Sequence, residues 1–324
     1  MHHHFYRRFV LMSLALGVAA AAMPADAQSW PSKPVRLLVG FPPGGGVDLL
    51  ARVLAERLAV SLGQPVVVDN RPGQAATVAT EMAAKATPDG YTLLMANIGT
   101  MALNPAIYPN YPVTPTRDFA PISRLVTYSL VIFAPADTAP ASLIDFVAMA
   151  RARPGQLNYG SAGNGGITHV AGELFKRAAG VDLMHVPYKG SALAMTDLAA
   201  GRLQMQIDIL GVATPFASRV RPLASTGPQR SALSPQLPTA QELGIPFTLT
   251  GWQAIVAPAG TPPAIIDRLN REVRKALADP KVVEKLHAQG NDPAPSSPEE
   301  LTALIASDGE RMGKVIRDAG IKAD

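Results

Sequence analysis

The chain contains 324 residues, of which 29 are lysine or arginine and 25 are aspartate or glutamate, for a net charge of +4. This small excess, without a long basic run, argues against a nucleic-acid-binding protein. Cysteine is absent, which excludes disulfides, thiol nucleophiles and cysteine metal sites. A chain of this length is expected to form about two domains.

The first 27 residues have the three parts of a secretory signal peptide. Arg7 and Arg8 precede an apolar run at 9–23, and Ala-Asp-Ala at 25–27 is a small-residue cleavage pattern. The run is shorter than the roughly 20 residues that a membrane-spanning helix needs, which favours cleavage over an anchor. We therefore expect cleavage after Ala27 and export to the periplasm.

The rest of the chain alternates strand-like and helix-like segments. Predicted strands cover residues 35–41, 65–68, 91–96, 157–159 and 252–257. Predicted helices cover 47–62, 75–86, 101–108, 141–153 and 167–179, and the alternation continues through 184–186, 192–200, 203–209 and 214–218. Residues 262–321 are predicted to be mostly helical, with breaks at 280 and 291–298. This pattern is typical of an α/β protein with mostly parallel sheets.

No low-complexity linker divides the chain into independent domains. A continuous α/β chain of this length predicts two lobes that share crossing segments. We place these crossings near residues 125–134 and 249–256.

Three glycine-rich turns follow predicted strands and precede predicted helices, at residues 41–48, 97–100 and 161–169. The start of a helix leaves its first amide hydrogens unpaired and carries a partial positive charge, and glycine lets a ligand approach the backbone closely. Such a turn can hold an anion without lysine or arginine. Three of them predict a carboxylate ligand held by main-chain amides, although each alone is equally typical of an ordinary tight turn.

The motifs of common enzymes are incomplete. The G-x-S-x-G pattern of hydrolases fails because Tyr159 occupies the first glycine position before Ser161. None of the glycine-rich turns fits the dinucleotide pattern G-x-G-x-x-G. His169 and His185 lack the spacing of metal ligands. We therefore expect a protein that is not an enzyme and that has neither a metal nor a cofactor.

Residues 39–48, V-G-F-P-P-G-G-G-V-D, resemble the opening V-P-F-P-P-G-G-S-T-D of the Bug family, the extracytoplasmic solute receptors of tripartite tricarboxylate transporters. Similar motifs follow in family order at 69–73, 88–93, 157–159, 185–190 and 257–262. The resemblance implies the two-lobed periplasmic-binding-protein (Venus flytrap) architecture, with a ligand between lobes that close about a hinge. With the crossings placed above, we expect one lobe of residues 28–128 plus 252–324 and a second of residues 129–251.

The resemblance also implies a set of ligand-binding residues in the three turns and at one strand end. These are Phe41, Gly44, Gly45, Gly46, Val47, Asn97, Thr100, Ser161, Ala162, Asn164, Gly165, Gly166, His169 and Asp208. Several hydroxyl-bearing residues of the family are replaced here, by Gly46, Val47, Ala162 and Gly166, and Ile209 replaces a common asparagine. Because unpaired buried ligand oxygens cost about 1–3 kcal/mol each, we expect a ligand with one or two carboxylates and an apolar body, aliphatic or aromatic.

Individual roles remain open at this stage. Phe41 is either a wall of the cleft or the end of a buried strand, and Ser161 is the best candidate for a side-chain donor. His169 either faces the ligand or caps its helix locally. Asp208 would repel a carboxylate, so it orients the loop, holds water, or meets a ligand amine or protonated acid. Trp252 is expected in the core between the lobes rather than in the cleft.

These observations predict a monomeric receptor that captures a small organic carboxylate and presents it to membrane transporter subunits. Two alternatives stay open. One is a receptor that serves a two-component sensor kinase, and the other is an exported α/β hydrolase.

Overall fold

The computed structural model describes residues 30–322, so the predicted signal peptide at 1–27 lies outside the described residues. The chain divides into two units, Met1–Ser32 and Lys33–Asp324. All strands and helices of the described residues belong to the second unit. No helix among these residues is long and apolar enough to cross a membrane.

Ten strands form a mixed sheet with the order β2-β1-β3-β9-β4-β7-β5-β6, and β8 and β10 pair with β4 outside this path. Their bounds are β1 Val35–Val39, β2 Val66–Asn70, β3 Thr92–Asn97, β4 Phe119–Pro135, β5 Asn158–Ser161, β6 Met184–Pro187, β7 Met205–Ile209, β8 Val220–Ser225, β9 Thr250–Pro258 and β10 Asp292–Pro293.

The helices have the bounds α1 Gly46–Leu62, α2 Thr77–Ala84, α3 Asn104–Ile107, α4 Pro115–Asp118, α5 Leu143–Ala152, α6 Ile167–Ala179, α7 Ser191–Ala199, α8 Pro263–Ala278, α9 Pro280–Ala288 and α10 Pro298–Asp318. A wider helical turn, Gly99–Leu103, precedes α3, and a 3-10 helix, Leu210–Phe216, follows β7.

Two groups of parallel strands are built from β-α-β units. In the first, β1 pairs in parallel with β2 and β3, and helices α1 and α2 connect these strands. In the second, β5 pairs in parallel with β6 and β7, connected by α6 and α7. The carboxyl ends of parallel strands collect the turns that bind ligands in open α/β sheets.

Strand β4 joins the two groups. From Phe119 to Ser129 it pairs with β9, which also pairs with β3, whereas from Leu130 it pairs with β7 and β8. All these pairings are antiparallel, so the sheet is more mixed than the sequence predicted. The change of partner lies within the predicted crossing at 125–134.

The apolar core follows from strand alternation. Along β4, Leu130 and Ile132 belong to one buried cluster, and Val131 and Phe133 belong to another. Successive side chains of a strand point to opposite faces, so this part of the sheet is covered on both sides. Trp252 lies in the first cluster, 2 % exposed, which confirms its predicted core position.

Local signals explain where the helices start and stop. Helix α1 buries Leu50, Leu54, Leu58 and Leu62, which share one face at a spacing of four residues, and Gly63, with φ 71°, caps its C-terminus. Helix α10 begins with a capping box in which Ser297 and Glu300 bond each other's backbone amides.

Some elements differ from the sequence prediction. Strands β4, β8 and β10 were not predicted as strands, although β4 contains the predicted crossing at 125–134. Pro222 explains the omission of β8, because proline is depleted in strands. Predicted strand 35–41 ends at Val39. The predicted breaks near 280 and 291–298 are confirmed by the ends of α8 and α9 and the start of α10.

A close approach between α6 and β5 yields the first prediction. A Cβ atom on Gly172 would lie 2.1 Å from the Tyr159 ring, whereas a Cβ on Gly309, in α10, meets nothing within 4 Å. We expect Gly172→Ala to lower the free energy of unfolding by about 1–3 kcal/mol. The matched control Gly309→Ala should raise it by up to about 1 kcal/mol, since alanine favours a helix interior. Urea-induced unfolding measures both, and equal effects would contradict the packing argument.

Candidate functional site

Two adjacent cavities lie where the three glycine-rich turns meet the crossing strands, β4 and β9. The first, of about 340 Å³, is lined by all three turns and by apolar and aromatic side chains, among them Leu103, Tyr108 and Tyr128. The second, of about 350 Å³, is lined by the first and third turns, by the end of β7 and by residues 289–291. Both cavities share Val47, Tyr128, Gly166 and Ile167.

The first turn is held by Asp48, which is 1 % exposed. Its carboxylate accepts bonds from the Gly44 amide at 2.9 Å, from Arg52 Nε at 2.9 Å and from Asn70 Nδ2 at 2.9 Å. Burial raises the pKa of Asp48, but the bonds from Arg52, Gly44 and Asn70 outweigh it and hold the pKa at about 2. Asn70 Nδ2 also donates to the Phe41 carbonyl oxygen at 3.0 Å, so one carboxylate organises the whole turn.

The second turn uses its own side chains to fix its shape. Asn97 Oδ1 accepts from the Thr100 amide at 3.0 Å, and Thr100 Oγ1 bonds the Asn97 backbone at 3.1 Å. Both residues are buried and line the first cavity. Ala75, which also lines this cavity, has φ 53°, in the left-handed region that non-glycine residues rarely occupy.

The third turn is bonded internally as well. Ser161 is fully buried, and its Oγ lies 2.6 Å from His185 Nε2. His169 Nδ1 accepts from the Gly165 amide at 3.1 Å, and the His169 ring stacks on that of His185 at 3.7 Å. The Thr168 hydroxyl accepts from the Ala162 amide at 2.9 Å. The His169 side chain therefore bonds the backbone immediately before the N-terminus of α6.

The predicted site residues fall into three groups. Those that line the first cavity are Phe41, Val47, Asn97, Thr100, Asn164, Gly165 and Gly166. Those that line the second are Gly46, Val47, Ala162, Gly166 and Asp208. Four predicted residues line neither cavity: Gly44, Gly45, Ser161 and His169. Of these, Ser161 and His169 form hydrogen bonds within the third turn. A ligand-binding role for each of these residues stays a prediction.

Two helix N-termini meet at the shared boundary of the cavities. Gly46 and Val47 begin α1, and Gly166 caps α6, which begins at Ile167. The first amides of a helix have no partner within it and attract anions. The lining of the first cavity contains no charged side chain, and Asp208 is the only charged residue that lines the second. The polarity of these cavities therefore comes mainly from backbone dipoles.

Asp208 lies near the end of β7 and is 3 % exposed. Its carboxylate accepts from Gln206 Nε2 at 3.0 Å and from the Ile209 amide at 2.8 Å. Burial raises the pKa of Asp208 despite these donors. Burial and the neighbouring Asp208 charge raise the pKa of Tyr128 to about 12, so the Tyr128 hydroxyl is un-ionised at neutral pH.

Sequence reasoning missed several lining residues that are far apart along the chain. They are Ala75, Leu103, Asn104, Tyr108, Tyr128, Leu130, Ser191, Gln253, Gln289, Gly290 and Asn291. The alternation of β4 offered a signal for Tyr128 and Leu130, since residues two apart on a strand share a face. Gln289 and Asn291, in the loop after α9, carry no local signal.

A larger cavity, of about 570 Å³, opens on the opposite face of β4 and β9. It is lined by Thr127 and Ser129, whereas Tyr128 and Leu130 line the two smaller cavities. Two of its arginines, Arg230 and Arg311, are paired with carboxylates of Glu242 and Asp308. The glycine-rich turns and their two cavities thus lie on one face of β4 and β9, and this larger cavity lies on the other face.

Residues 50–321 match the model of the family described as tripartite tricarboxylate transporter family receptor. The chain belongs to this family. It is 38 % identical over 323 residues to a protein of Pseudomonas sp. (strain P51) from the tcbD-tcbE intergenic region, covering 98 % of this chain and 96 % of the relative. It is 35 % identical to Protein BugT of Bordetella pertussis over 320 residues, covering 98 % of each.

Solved structures agree with this family assignment. An R. palustris protein with adipate is 36 % identical, with a TM-score of 0.78 over 90 % of this receptor and 99 % of that protein. The periplasmic binding protein BugD is 31 % identical, with a TM-score of 0.74 over 91 % of this receptor and 100 % of BugD. MatC from Rhodopseudomonas palustris with bound malate is 29 % identical, with a TM-score of 0.73 over 89 % and 100 %. The receptor is thus a two-lobed α/β periplasmic solute-binding protein of the TctC and Bug type.

The Asp48 network of this receptor yields a pH-dependent prediction. The folded pKa of about 2 lies below the ordinary value of 3.8, so the ionised carboxylate stabilises the fold. We expect Asp48→Asn to lower the free energy of unfolding by about 2 kcal/mol more at pH 7 than near pH 2. This stability is present above the unfolded pKa and is lost as the pH falls through the folded pKa.

Urea-induced unfolding of the wild type and of Asp48→Asn, from pH 7 to about pH 3, measures this effect. The difference between their free energies of unfolding should begin to narrow below about pH 4. Asp267→Asn, which replaces an exposed aspartate of α8, is the matched control and should show no such trend. A difference in free energy of unfolding between the wild type and Asp48→Asn that stays constant over this range would refute the role of the Asp48 charge.

Proposed function

We propose that this receptor captures a small carboxylate with an apolar or aromatic body and delivers it to the membrane subunits of a tripartite tricarboxylate-type transporter. The observation that carries the proposal is the meeting of the α1 and α6 N-termini, at Gly46–Val47 and Gly166–Ile167, on one cavity boundary. Two helix dipoles directed at one place bind an anion without a basic side chain. Adipate and malate in two similar structures support a carboxylate as this anion.

The walls of the first cavity support an apolar ligand body. Phe41, Leu103, Tyr108 and Ile167 line it together with a few amide and hydroxyl groups, which are largely engaged in their own turns. A highly oxygenated ligand would leave oxygens unpaired against these walls. The volume of about 340 Å³ is of the size that holds a small organic molecule.

We further propose capture by rotation of two lobes, 28–128 plus 252–324 and 129–251, about the crossing strands. The change of β4 pairing between Ser129 and Leu130 supports the first boundary, and the start of β9 at Thr250 supports the second. The closed receptor, a monomer released from the membrane by cleavage after Ala27, is then recognised by the transporter. No catalytic step takes part in this cycle.

A charge placed at the cavity boundary tests the anion site. Gly166 has open space around its Cβ direction, with only the Gly163 carbonyl oxygen near, at 3.7 Å, and no positive φ. We expect Gly166→Asp to raise the Kd for the preferred acid at least about tenfold, or 1.4 kcal/mol, by repulsion. The uncharged control of the same shape, Gly166→Asn, should bind much more tightly than Gly166→Asp. Isothermal titration measures both, and equal affinities would remove α6 from the site.

The ligand class is tested by a thermal-shift screen with C4 to C8 dicarboxylates, citrate, aspartate, glutamate, nicotinate, benzoate and terephthalate. An acid at one hundred times its Kd stabilises the folded protein by about 2.7 kcal/mol, which raises the melting temperature. We expect the largest shift with an acid that has an apolar or aromatic body. Citrate binding more tightly than all monocarboxylates and simple dicarboxylates would contradict the proposed ligand class.

A further inference from the structure

Tyr128 lies where strand β4 passes from one group of strands to the other. It is paired with Gly251 of β9, and the partner of β4 changes two residues later. Tyr128 lines both cavities, as do Val47, Gly166 and Ile167. These three residues belong to the N-termini of α1 and α6, so Tyr128 borders the same boundary as both helix N-termini.

The position of the Tyr128 ring is set by its neighbour on β9. A Cβ on Gly251 would lie 2.6 Å from the Tyr128 hydroxyl oxygen and closer still to the ring carbon that carries it. Side chains in a packed interior do not approach this closely, so only glycine at 251 leaves room for the ring. Aromatic rings stabilise sheets by covering a glycine in this way. The Tyr128 side chain therefore lies over the backbone of β9.

The Tyr128 hydroxyl has no hydrogen-bond partner among the residues that the structure describes. Tyr128 is half-buried, and its oxygen is not one of the fully enclosed polar atoms. Tyrosine hydroxyls at such positions normally find a partner, as Tyr111 does with the Thr100 carbonyl oxygen at 3.0 Å. An accessible hydroxyl without a partner, in the lining of two cavities, is available to a ligand.

Other polar side chains of the first cavity are engaged within the protein. Asn97 and Thr100 bond each other's backbone in the second turn, and Asn104 donates to the Ala75 carbonyl oxygen at 2.9 Å. Their geometry is set by these bonds. The Tyr128 hydroxyl has no such bond, and it can turn toward whatever occupies the boundary.

The charge state of Tyr128 suits it to an anionic acceptor. Burial and the neighbouring Asp208 charge raise the pKa of Tyr128 to about 12, so the hydroxyl keeps its proton at neutral pH and can donate it. A hydrogen bond from a hydroxyl to a carboxylate is charge-assisted and about twice as strong as one between neutral groups.

We propose that Tyr128 is a specificity-determining residue of the receptor, whose hydroxyl donates a hydrogen bond to the ligand carboxylate at the boundary of the two cavities. This inference rests on the proposed carboxylate-binding function and adds to it one side-chain donor that lies outside the three glycine-rich turns. A ligand with an apolar group at this place would leave both the hydroxyl and the helix amides unpaired, so the receptor selects against it.

Tyr128→Phe removes the hydroxyl and keeps the ring over Gly251. The probes are the acids of the thermal-shift panel, from the C4 dicarboxylates to terephthalate, and isothermal titration of the wild type identifies the one that binds most tightly. We expect Tyr128→Phe to raise the Kd for this acid at least about tenfold, because a hydrogen bond to a charged group is lost. Urea-induced unfolding without ligand should be unchanged, since the hydroxyl bonds no other part of the described chain.

Tyr91→Phe is the matched control. Tyr91 directly precedes β3, at the end of that strand opposite the second turn, and it lines neither cavity. Its loss of a hydroxyl should leave the Kd unchanged. A crystal structure of the wild type with the same acid should place the Tyr128 hydroxyl oxygen within about 3 Å of a carboxylate oxygen.

The outcomes separate this inference from the proposed function. A Kd of Tyr128→Phe that equals the wild-type value would overturn the inference and leave carboxylate capture intact. A complex in which the hydroxyl lies more than about 4 Å from every carboxylate oxygen would do the same. If no acid of the panel binds the wild type, carboxylate capture fails and this inference fails with it.

Discussion

The site depends on one strand that serves two groups of strands at once. Strand β4 pairs with β9 up to Ser129 and with β7 and β8 from Leu130 onward. Because side chains alternate along a strand, Tyr128 and Leu130 reach the cavities of the glycine-rich turns, while Thr127 and Ser129 reach the opposite face. Strand β4 therefore joins the two groups of parallel strands and forms one wall of the cavities that lie between them.

The three glycine-rich turns beside β4 are stabilised in the same way. Their polar side chains bond their own backbone: Asp48 holds the Gly44 amide, Asn97 holds the Thr100 amide, and His169 holds the Gly165 amide. Side chains that fix a turn in this way are unavailable as flexible ligand donors. In the proposed function a ligand therefore meets mainly main-chain amides of turns that are already ordered, which lowers the entropic cost of binding.

The electrostatics of the site follow from the same arrangement. Under the proposed function, anion recognition comes from the partial charges of two helix N-termini rather than from lysine or arginine, so the attraction acts only over a short range. The second cavity adds one acidic side chain, Asp208, which is the only charged residue in its lining.

Local sequence determined the alternating elements, the three glycine-rich turns and the family motifs, because strand and helix periods and turn residues act between near neighbours. The predicted helix 167–179 has the bounds of α6, and all three turns border the cavities. Only the tertiary structure decided which side chains line the cavities. Tyr128, Gln253 and Gln289 come from distant segments and meet through the pairing of β4 with β9 and the packing of the loop after α9. Ser161 and His169 both contact His185, and this contact between β5, α6 and β6 is encoded by no local pattern.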